Sequence, residues 1–183
     1  MLMKELGWDF DIIVPSVEEI PLLGEDGGRM ACRLANTKAE SVRMENPDRW
    51  IIGADTVVIS EGRILGKPSD FAEAVEMIRK LQGGIHTVVT GVALMAPDGR
   101  KLVEAERTKV KFRDLTDAEA ASYVENGESY DKAGSYAIQG RGMLLVERID
   151  GCYFNVVGLP LQRLSRMFAD LGWPLSEQWR TVS

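Results

Sequence analysis

Residues 50–59, with the sequence WIIGADTVVI, decide how this chain folds. Two short apolar runs rich in β-branched residues flank the tetrad GADT, and runs of this kind predict buried β-strand. A carboxylate within buried strand is costly unless it is paired or binds a cation, so Asp55 needs an explanation. It is either a turn residue that bonds its own backbone between two strands, or a functional group.

Length and composition predict a single globular domain over residues 1–183. The chain is 45% hydrophobic and 27% charged, and a domain of this size buries about 70% of its unfolded surface. The net charge of -6 argues against the basic face of a general nucleic-acid or membrane-surface binder, so we expect neither partner. A small anionic substrate is compatible with this charge, because a few local lysines and arginines suffice to bind it.

Residues that bind zinc are scarce in the chain. Cys32 and Cys152 lie outside any Cys-x-x-Cys pattern, so we interpret them as small buried hydrophobes in a reducing compartment. The single histidine, His86, lies on an alternating stretch and is interpreted as structural. A metal would therefore need oxygen ligands, which favours Mg²⁺ or Mn²⁺. Without a membrane-spanning run or signal-peptide core, the chain is expected to be cytoplasmic.

Hydrophobic periodicity predicts strands that alternate with helices. Because hairpins and strand–helix units both occur, we predict an α/β domain with a mixed, twisted sheet flanked by helices. The predicted helices lie at about residues 28–44, 70–82, 116–126 and 161–171, and the predicted strands at 8–14, 50–59, 85–95, 101–113, 143–149 and 152–157.

Two loops carry candidate ligand-binding residues. The motif Gly62-x-x-x-Gly66-Lys67-Pro68-Ser69 is one residue short of a phosphate-binding P-loop, and Pro68 replaces its magnesium-binding Ser/Thr, so that interpretation is rejected. Lys67 remains a lysine in a rigid Gly/Pro loop, either positioned for a ligand or simply solvated. Residues 130–142 are dense in glycine and hydrogen-bonding side chains, and form either a ligand-contacting loop or a strand with bulged ends.

Five segments occur in a specific order along the chain. They are GADTVV at 53–58, LGKPSD at 65–70, LQGGIHTVVTGV at 81–92, YDKAGSYAIQG at 130–140 and NVVGLPL at 155–161. Together they resemble the Maf family of nucleoside triphosphate pyrophosphatases, over about residues 6–171. The resemblance implies an elongated α/β fold with a deep cleft, similar to inosine triphosphate pyrophosphatases, and a homodimer.

The resemblance also implies a reaction. Family members cleave a nucleoside triphosphate between the α and β phosphates, which gives the monophosphate and pyrophosphate and cleans the nucleotide pool. The Asp55-Thr56 pair and the AIQG segment resemble the branch that acts on dTTP and UTP, rather than the branch that prefers 7-methyl-GTP. Two alternatives remain open: a non-catalytic nucleotide-binding regulator of cell division and septum formation, and a pyrophosphatase that prefers ITP or XTP.

Four residues match the catalytic positions of the family. Asp55 takes the proton-acceptor position, and Glu19, Lys38 and Lys67 match polar residues of the cleft. A divalent cation held by Asp55 and Glu19 would bridge phosphate oxygens and lower the pKa of a bound water. Lys38 and Lys67 would offset charge on the phosphates. Whether Asp55 is a base or a metal ligand stays open.

Two residues match the substrate-selecting positions of the family, Thr56 and Gln139. The amide of Gln139 offers both a donor and an acceptor, which suits the edge of a pyrimidine base.

The sequence departs from the family pattern at its first residues. Family members begin with a strand and a Ser-x-Ser-Pro-Arg-Arg loop whose serine and arginines face the phosphates, and residues 1–6 resemble the helix that follows this loop. Either the natural protein is longer, or this is a shortened form that binds nucleotide poorly. We expect the first, because the catalytic-side motifs are present, and we expect a version extended upstream to be more active.

Overall fold

A five-stranded sheet is the centre of the structure, a computed structural model that describes residues 2–181. The helices are α1 (Leu2–Glu5), α2 (Gly27–Arg43), α3 (Phe71–Leu81), α4 (Asp117–Glu125), α5 (Tyr153–Val157), α6 (Leu161–Asp170) and α7 (Leu175–Gln178). The strands are β1 (Ile51–Ser60), β2 (Arg63–Leu65), β3 (Ile85–Met95), β4 (Lys101–Phe112) and β5 (Val146–Asp150). Among these residues, none of the helices combines the length and apolarity that a membrane crossing requires.

The strand order in the sheet is β2-β1-β3-β4-β5. The predicted class, helices flanking a sheet, is confirmed, but every pairing among the described strands is antiparallel rather than mixed. The Glu61-Gly62 turn, with φ of 50° and 76°, joins β1 to β2 as a tight hairpin. The helix between β1 and β3 therefore connects two antiparallel neighbours and makes no parallel crossover.

Strand β1 is continuous, so the turn interpretation of Asp55 is wrong. Asp55 stands opposite Gly91 in the middle of the β1–β3 ladder. On its other side, β1 pairs with β2 only at residues 58–60, and residues 51–57 have no strand partner there within residues 2–181. Asp55 thus lies on buried strand with one open backbone edge.

Helix α2 packs directly onto the backbone of β1 and β3. An added Cβ at Gly53 would lie 2.2 Å from the Ala35 carbonyl oxygen, and one at Gly91 would lie 2.3 Å from that of Ala31. Only glycine allows so close an approach. The opposite face of the sheet carries the largest core cluster, in which Val58 packs with side chains of α3 and α4.

Residues 8–14 do not form the predicted strand. They form no ladder with another segment of the described chain, and the side chains of Ile12 and Val14 are 60% and 88% exposed. Trp8 instead packs its ring edge-on against Phe168 of α6. The alternating pattern was compatible with a strand, but a strand requires a neighbour that supplies ladder hydrogen bonds.

The strand predicted at 152–157 is also wrong. Strand β5 pairs with β4, but residues 153–157 form helix α5 instead of a second strand. Gly158, with φ of 111°, ends this helix and donates its N–H to the carbonyls of Phe154 and Asn155. Residues 130–142 contain no strand either: they include a 3₁₀ turn at Ala133–Ser135 and the start of another at Gly140–Leu144.

Candidate active site

A cleft of about 290 Å³ lies along the open edge of β1. Its walls come from β1, α2, the segments that carry Glu19 and Lys67, residues 131–133 and residues 156–158. Because successive side chains of a strand point to opposite faces, β1 presents Asp55 on the α2 face and Thr56 on the other. The cleft passes around the strand edge and reaches both faces. This is the cleft that the family resemblance implied.

Lys38 is the centre of a charged network on the α2 side of the cleft. Its Nζ donates to Asp55 Oδ1 at 2.6 Å and to Glu19 Oε1 at 2.7 Å. Lys67 Nζ donates to Glu19 Oε2 at 2.7 Å. The Asp55 side chain is 8% exposed, whereas that of Lys67 is 53% exposed. Two carboxylates and two ammonium groups thus alternate from the buried strand out to solvent.

Local structure positions these groups. Asp26 caps α2 by accepting from the N–H groups of Gly28 and Arg29, which fixes the start of the helix that carries Lys38. A hydrogen bond from the Gly134 N–H to the Gly66 carbonyl, at 3.0 Å, stabilises the loop that carries Lys67. Glu19 belongs to the long segment before α2 and lies in the cleft through its two lysine contacts.

The environment shifts the pKa values of Asp55, Lys38 and Glu19. Burial raises the pKa of the Asp55 carboxyl, and the hydrogen bond and charge of Lys38 only partly oppose this. Burial lowers the pKa of Lys38, but its contacts with Asp55 and Glu19 outweigh this and leave it raised. Burial likewise raises the pKa of Glu19, but Lys38 and Lys67 outweigh it, so the net shift is downward. The surroundings thus favour the protonated form of Asp55 and the charged form of Glu19.

The two carboxylates fit a metal ion that arrives with a phosphate ligand. No group of three or more His, Cys, Asp or Glu side chains within residues 2–181 could form an all-protein metal site. Mg²⁺ commonly binds one or two carboxylates and completes its shell with waters and phosphate oxygens. Lysines occupy both oxygens of Glu19 and one of Asp55, which leaves Asp55 Oδ2 without a hydrogen bond in the described chain.

The two predicted specificity residues lie in different surroundings. Thr56 lines the cleft, and its hydroxyl lies 2.9 Å from that of Thr90. Gln139 is exposed, directly before the 3₁₀ turn at Gly140–Leu144, and is not among the residues that line this cleft. The structure therefore brings Thr56, but not Gln139, next to the charged network.

Asp131 and Lys132, which are not among the predicted site residues, also line the cleft. Lys132 Nζ lies 2.8 Å from Asp131 Oδ2, and both side chains are largely solvent-accessible. The polar, glycine-rich character of residues 130–142 was the available signal, but it did not distinguish a cleft wall from a strand. Tyr136 of the same segment is buried against His86.

Comparison with known proteins identifies the family of the chain that forms this cleft. The family described as Maf-like protein matches residues 1–171. The chain belongs to the Maf family. This confirms the resemblance drawn from the five sequence segments.

Relatives in the Maf family share most of their length with this chain. The dTTP/UTP pyrophosphatase of Pelotomaculum thermopropionicum is 46% identical over 173 residues, covering 94% of this chain and 91% of the relative. The dTTP/UTP pyrophosphatase of Geobacillus sp. (strain WCH70) is 52% identical over 140 residues, covering 76% and 75%. A solved dITP/XTP pyrophosphatase from Mycobacterium abscessus is 15% identical, with a TM-score of 0.40 over 93% of this chain and 88% of that one.

Proposed function

We propose that this protein hydrolyses dTTP and UTP to the nucleoside monophosphate and pyrophosphate. The observation that carries the proposal is the buried Asp55 carboxylate at an open strand edge, held by Lys38 within a cleft. Relatives with 46% and 52% identity bear the name dTTP/UTP pyrophosphatase, which supports the same reaction and substrates. We also propose that the protein is a single domain, that it forms a homodimer and that it acts in the cytoplasm.

In the proposed reaction, a water oxygen attacks a phosphorus of the α–β anhydride and the bond to the bridging oxygen breaks. Asp55 takes a proton from the attacking water, a role that suits a carboxylate whose pKa burial raises. Lys38 and Lys67 offset the charge on the phosphates and on the departing pyrophosphate. Such reactions depend on positioning and charge neutralisation more than on covalent chemistry.

Mg²⁺ or Mn²⁺ is the cofactor of this proposal. Asp55 Oδ2 and, once its lysines turn to the phosphates, Glu19 would hold the ion. When bound, a divalent cation would offset the negative charge of the phosphates and would make a water molecule more acidic. Thr56 and Gln139 are the proposed substrate-selecting residues.

Pyrophosphate release with Mg²⁺ from dTTP, UTP, CTP, ITP and 7-methyl-GTP tests this function. We expect dTTP and UTP to be preferred and Asp55→Asn to reduce turnover by roughly 100- to 10,000-fold. Asp70→Asn is the matched control, because Asp70 caps α3 outside the cleft and asparagine caps helices equally well. Preference for ITP would indicate the purine-selecting enzyme, and nucleotide binding without turnover would indicate the regulator.

A further inference from the structure

A buried hydrogen-bond chain leads from the interior of the protein to Thr56. The Thr90 hydroxyl lies 2.9 Å from the Thr56 hydroxyl and 2.9 Å from the Asn155 carbonyl oxygen. Asn155 is itself fully buried, and its side chain accepts from the Thr90 N–H and donates to the Val88 carbonyl. Strand β3 and helix α5 thus hold Thr90 rigidly behind the cleft residue.

The proton positions in this chain follow from its chemistry. A carbonyl oxygen can only accept, so the single hydroxyl proton of Thr90 is committed to Asn155. In the contact between the two threonines, Thr56 must therefore be the donor. Its own proton then points inward to Thr90, away from the cleft. Toward the cleft, the Thr56 oxygen offers only lone pairs.

We propose that Thr90 and Asn155 are positioning residues that make Thr56 an obligatory hydrogen-bond acceptor, and that this selects nucleotide bases with a ring N–H. The proposal rests on the pyrimidine nucleotide function proposed above and supplies its physical basis. Uracil and thymine both carry a donor at N3, whereas cytosine carries an acceptor there. A Thr56 hydroxyl that can only accept would pair with N3–H of uracil and thymine, and it would be repelled by the lone pair at N3 of cytosine.

The location of Thr56 supports a base contact over a phosphate contact. Phosphate oxygens are acceptors, so they cannot pair with a hydroxyl whose proton is committed elsewhere. The phosphate-binding candidates Lys38 and Lys67 lie with Asp55 and Glu19, whereas Thr56 faces the opposite side of β1. A nucleotide that spans the cleft around the strand edge would place its two ends in these two environments.

Removing the Thr90 hydroxyl tests the proposal. In Thr90→Val the Thr56 proton is released and can donate to cytosine N3, so we expect the kcat/KM ratio of UTP to CTP to fall roughly tenfold, mainly through the KM for CTP. The Asn155 carbonyl keeps the Gly158 N–H at 3.0 Å as a donor, which limits the structural damage. Thr90→Ser retains the hydroxyl and is expected to restore the ratio.

Two further variants separate base selection from stability. Thr87→Val changes a threonine of the same strand that does not line the cleft, and we expect it to leave the ratio unchanged. Thr90→Ala removes the hydroxyl without the bulk of valine and is expected to repeat the shift. If Thr90→Val and Thr90→Ala lower UTP and CTP turnover in equal proportion, Thr90 is merely structural and the proposal is overturned.

Binding measurements make the result independent of turnover. Non-hydrolysable α,β-methylene analogues of UTP and CTP are titrated against the wild type and the Thr90 variants. If the wild type prefers the UTP analogue and Thr90→Val does not, the proposal stands even if no nucleotide is hydrolysed and the proposed function fails. If the wild type hydrolyses UTP but Thr90→Val still prefers the UTP analogue, the proposed function stands and the role proposed for Thr90 is overturned. Equal affinity of the wild type for both analogues also overturns it.

Discussion

Lys38 Nζ donates to Asp55 Oδ1 at 2.6 Å and so joins the helix α2 to the middle of strand β1. The contact pairs a largely buried carboxylate with an ammonium group that also binds Glu19. The hydrogen bond and the charge of Lys38 oppose the upward shift that burial gives to the pKa of the Asp55 carboxyl.

Replacing Lys38 should change both the rate and the pH dependence of turnover. In Lys38→Met the pKa of Asp55 loses its main lowering influence, so the acid limb of the pH profile of kcat/KM should move to higher pH. Loss of phosphate charge compensation should lower kcat/KM on the order of 100-fold at neutral pH. Lys101→Met, which removes a lysine paired with Glu40 outside the cleft, is the control. An acid limb that stays in place would contradict the coupling.

Glu19→Gln tests the metal role of the second carboxylate. The substitution removes a charge that binds two lysines and is a proposed cation ligand. We expect the Mg²⁺ concentration for half-maximal activity to rise roughly tenfold, measured by metal titration at saturating nucleotide. Glu18→Gln changes the exposed neighbour and should leave the titration unchanged. A lower rate with unaltered metal dependence would assign Glu19 to lysine positioning alone.

Gly91→Ala should destabilise the contact between α2 and the sheet. The new methyl group would lie 2.3 Å from backbone atoms of Ala31, so the helix must move away from β3. We expect the free energy of unfolding to fall by about 3 kcal/mol, as for overpacking in a tight core, measured by urea denaturation. Gly84→Ala is the control, since its nearest backbone contact would be 3.4 Å and its effect should stay within about 0.5 kcal/mol. Equal effects of the two substitutions would show that the packing is not tight.

His86 should make the protein sensitive to mild acid. Burial lowers the pKa of this imidazole from 6.5 to about 4. The unfolded chain therefore takes up a proton near pH 6.5, whereas the folded protein does so only near pH 4, and stability falls as the pH drops between these values. The loss attributable to His86 is about 3 kcal/mol.

Urea midpoints at pH 7 and pH 4 for the wild type and His86→Gln measure this contribution. The variant keeps a hydrogen-bonding side chain opposite the Tyr136 hydroxyl, which lies 2.7 Å from His86 Nε2, but does not titrate. Its stability should therefore decline less between the two pH values. A parallel decline in both proteins would assign the acid sensitivity to other groups.

Locally encoded parts of the fold could be predicted from the sequence. Helix α4 begins where Thr116 and Glu119 form a capping box, and both hydrogen bonds of that box are present. The Asp70 cap of α3 and the turn at Glu61-Gly62 are likewise set by residues within a few positions of each other. Such signals need no knowledge of distant segments.

The wrong predictions concern segments whose structure depends on distant partners. Residues 152–157 contain β-branched and aromatic side chains typical of a strand, yet the bonds of Asn155 to Thr90, Val88 and Thr108 stabilise a helix there. These contacts span 47 to 67 positions in the chain and leave no periodic signal. The strand predicted at 8–14 failed for the corresponding reason, because alternation does not specify a pairing partner.

The candidate site was predictable only as a set. Taken alone, the sequence around Asp55 favoured a turn residue and that around Lys67 a solvated lysine, and only the order of these segments with the others indicated a family. The structure places Asp55, Lys38, Glu19 and Lys67 in one hydrogen-bonded network, while their catalytic roles remain a prediction. The Thr90–Asn155 pair could not have been found, because β3 and α5 approach only in the folded protein.

The side chains of Asp55 and Thr56 lie on opposite faces of β1, and this has a consequence for how the protein can evolve. Neighbouring positions in the gene encode side chains on opposite faces of one strand, one beside the proposed reaction centre and one beside the proposed base. A substitution at the second position can alter which nucleotide enters without disturbing the carboxylate next to it. This arrangement would allow related proteins to differ in the nucleotide they accept and to keep the same reaction.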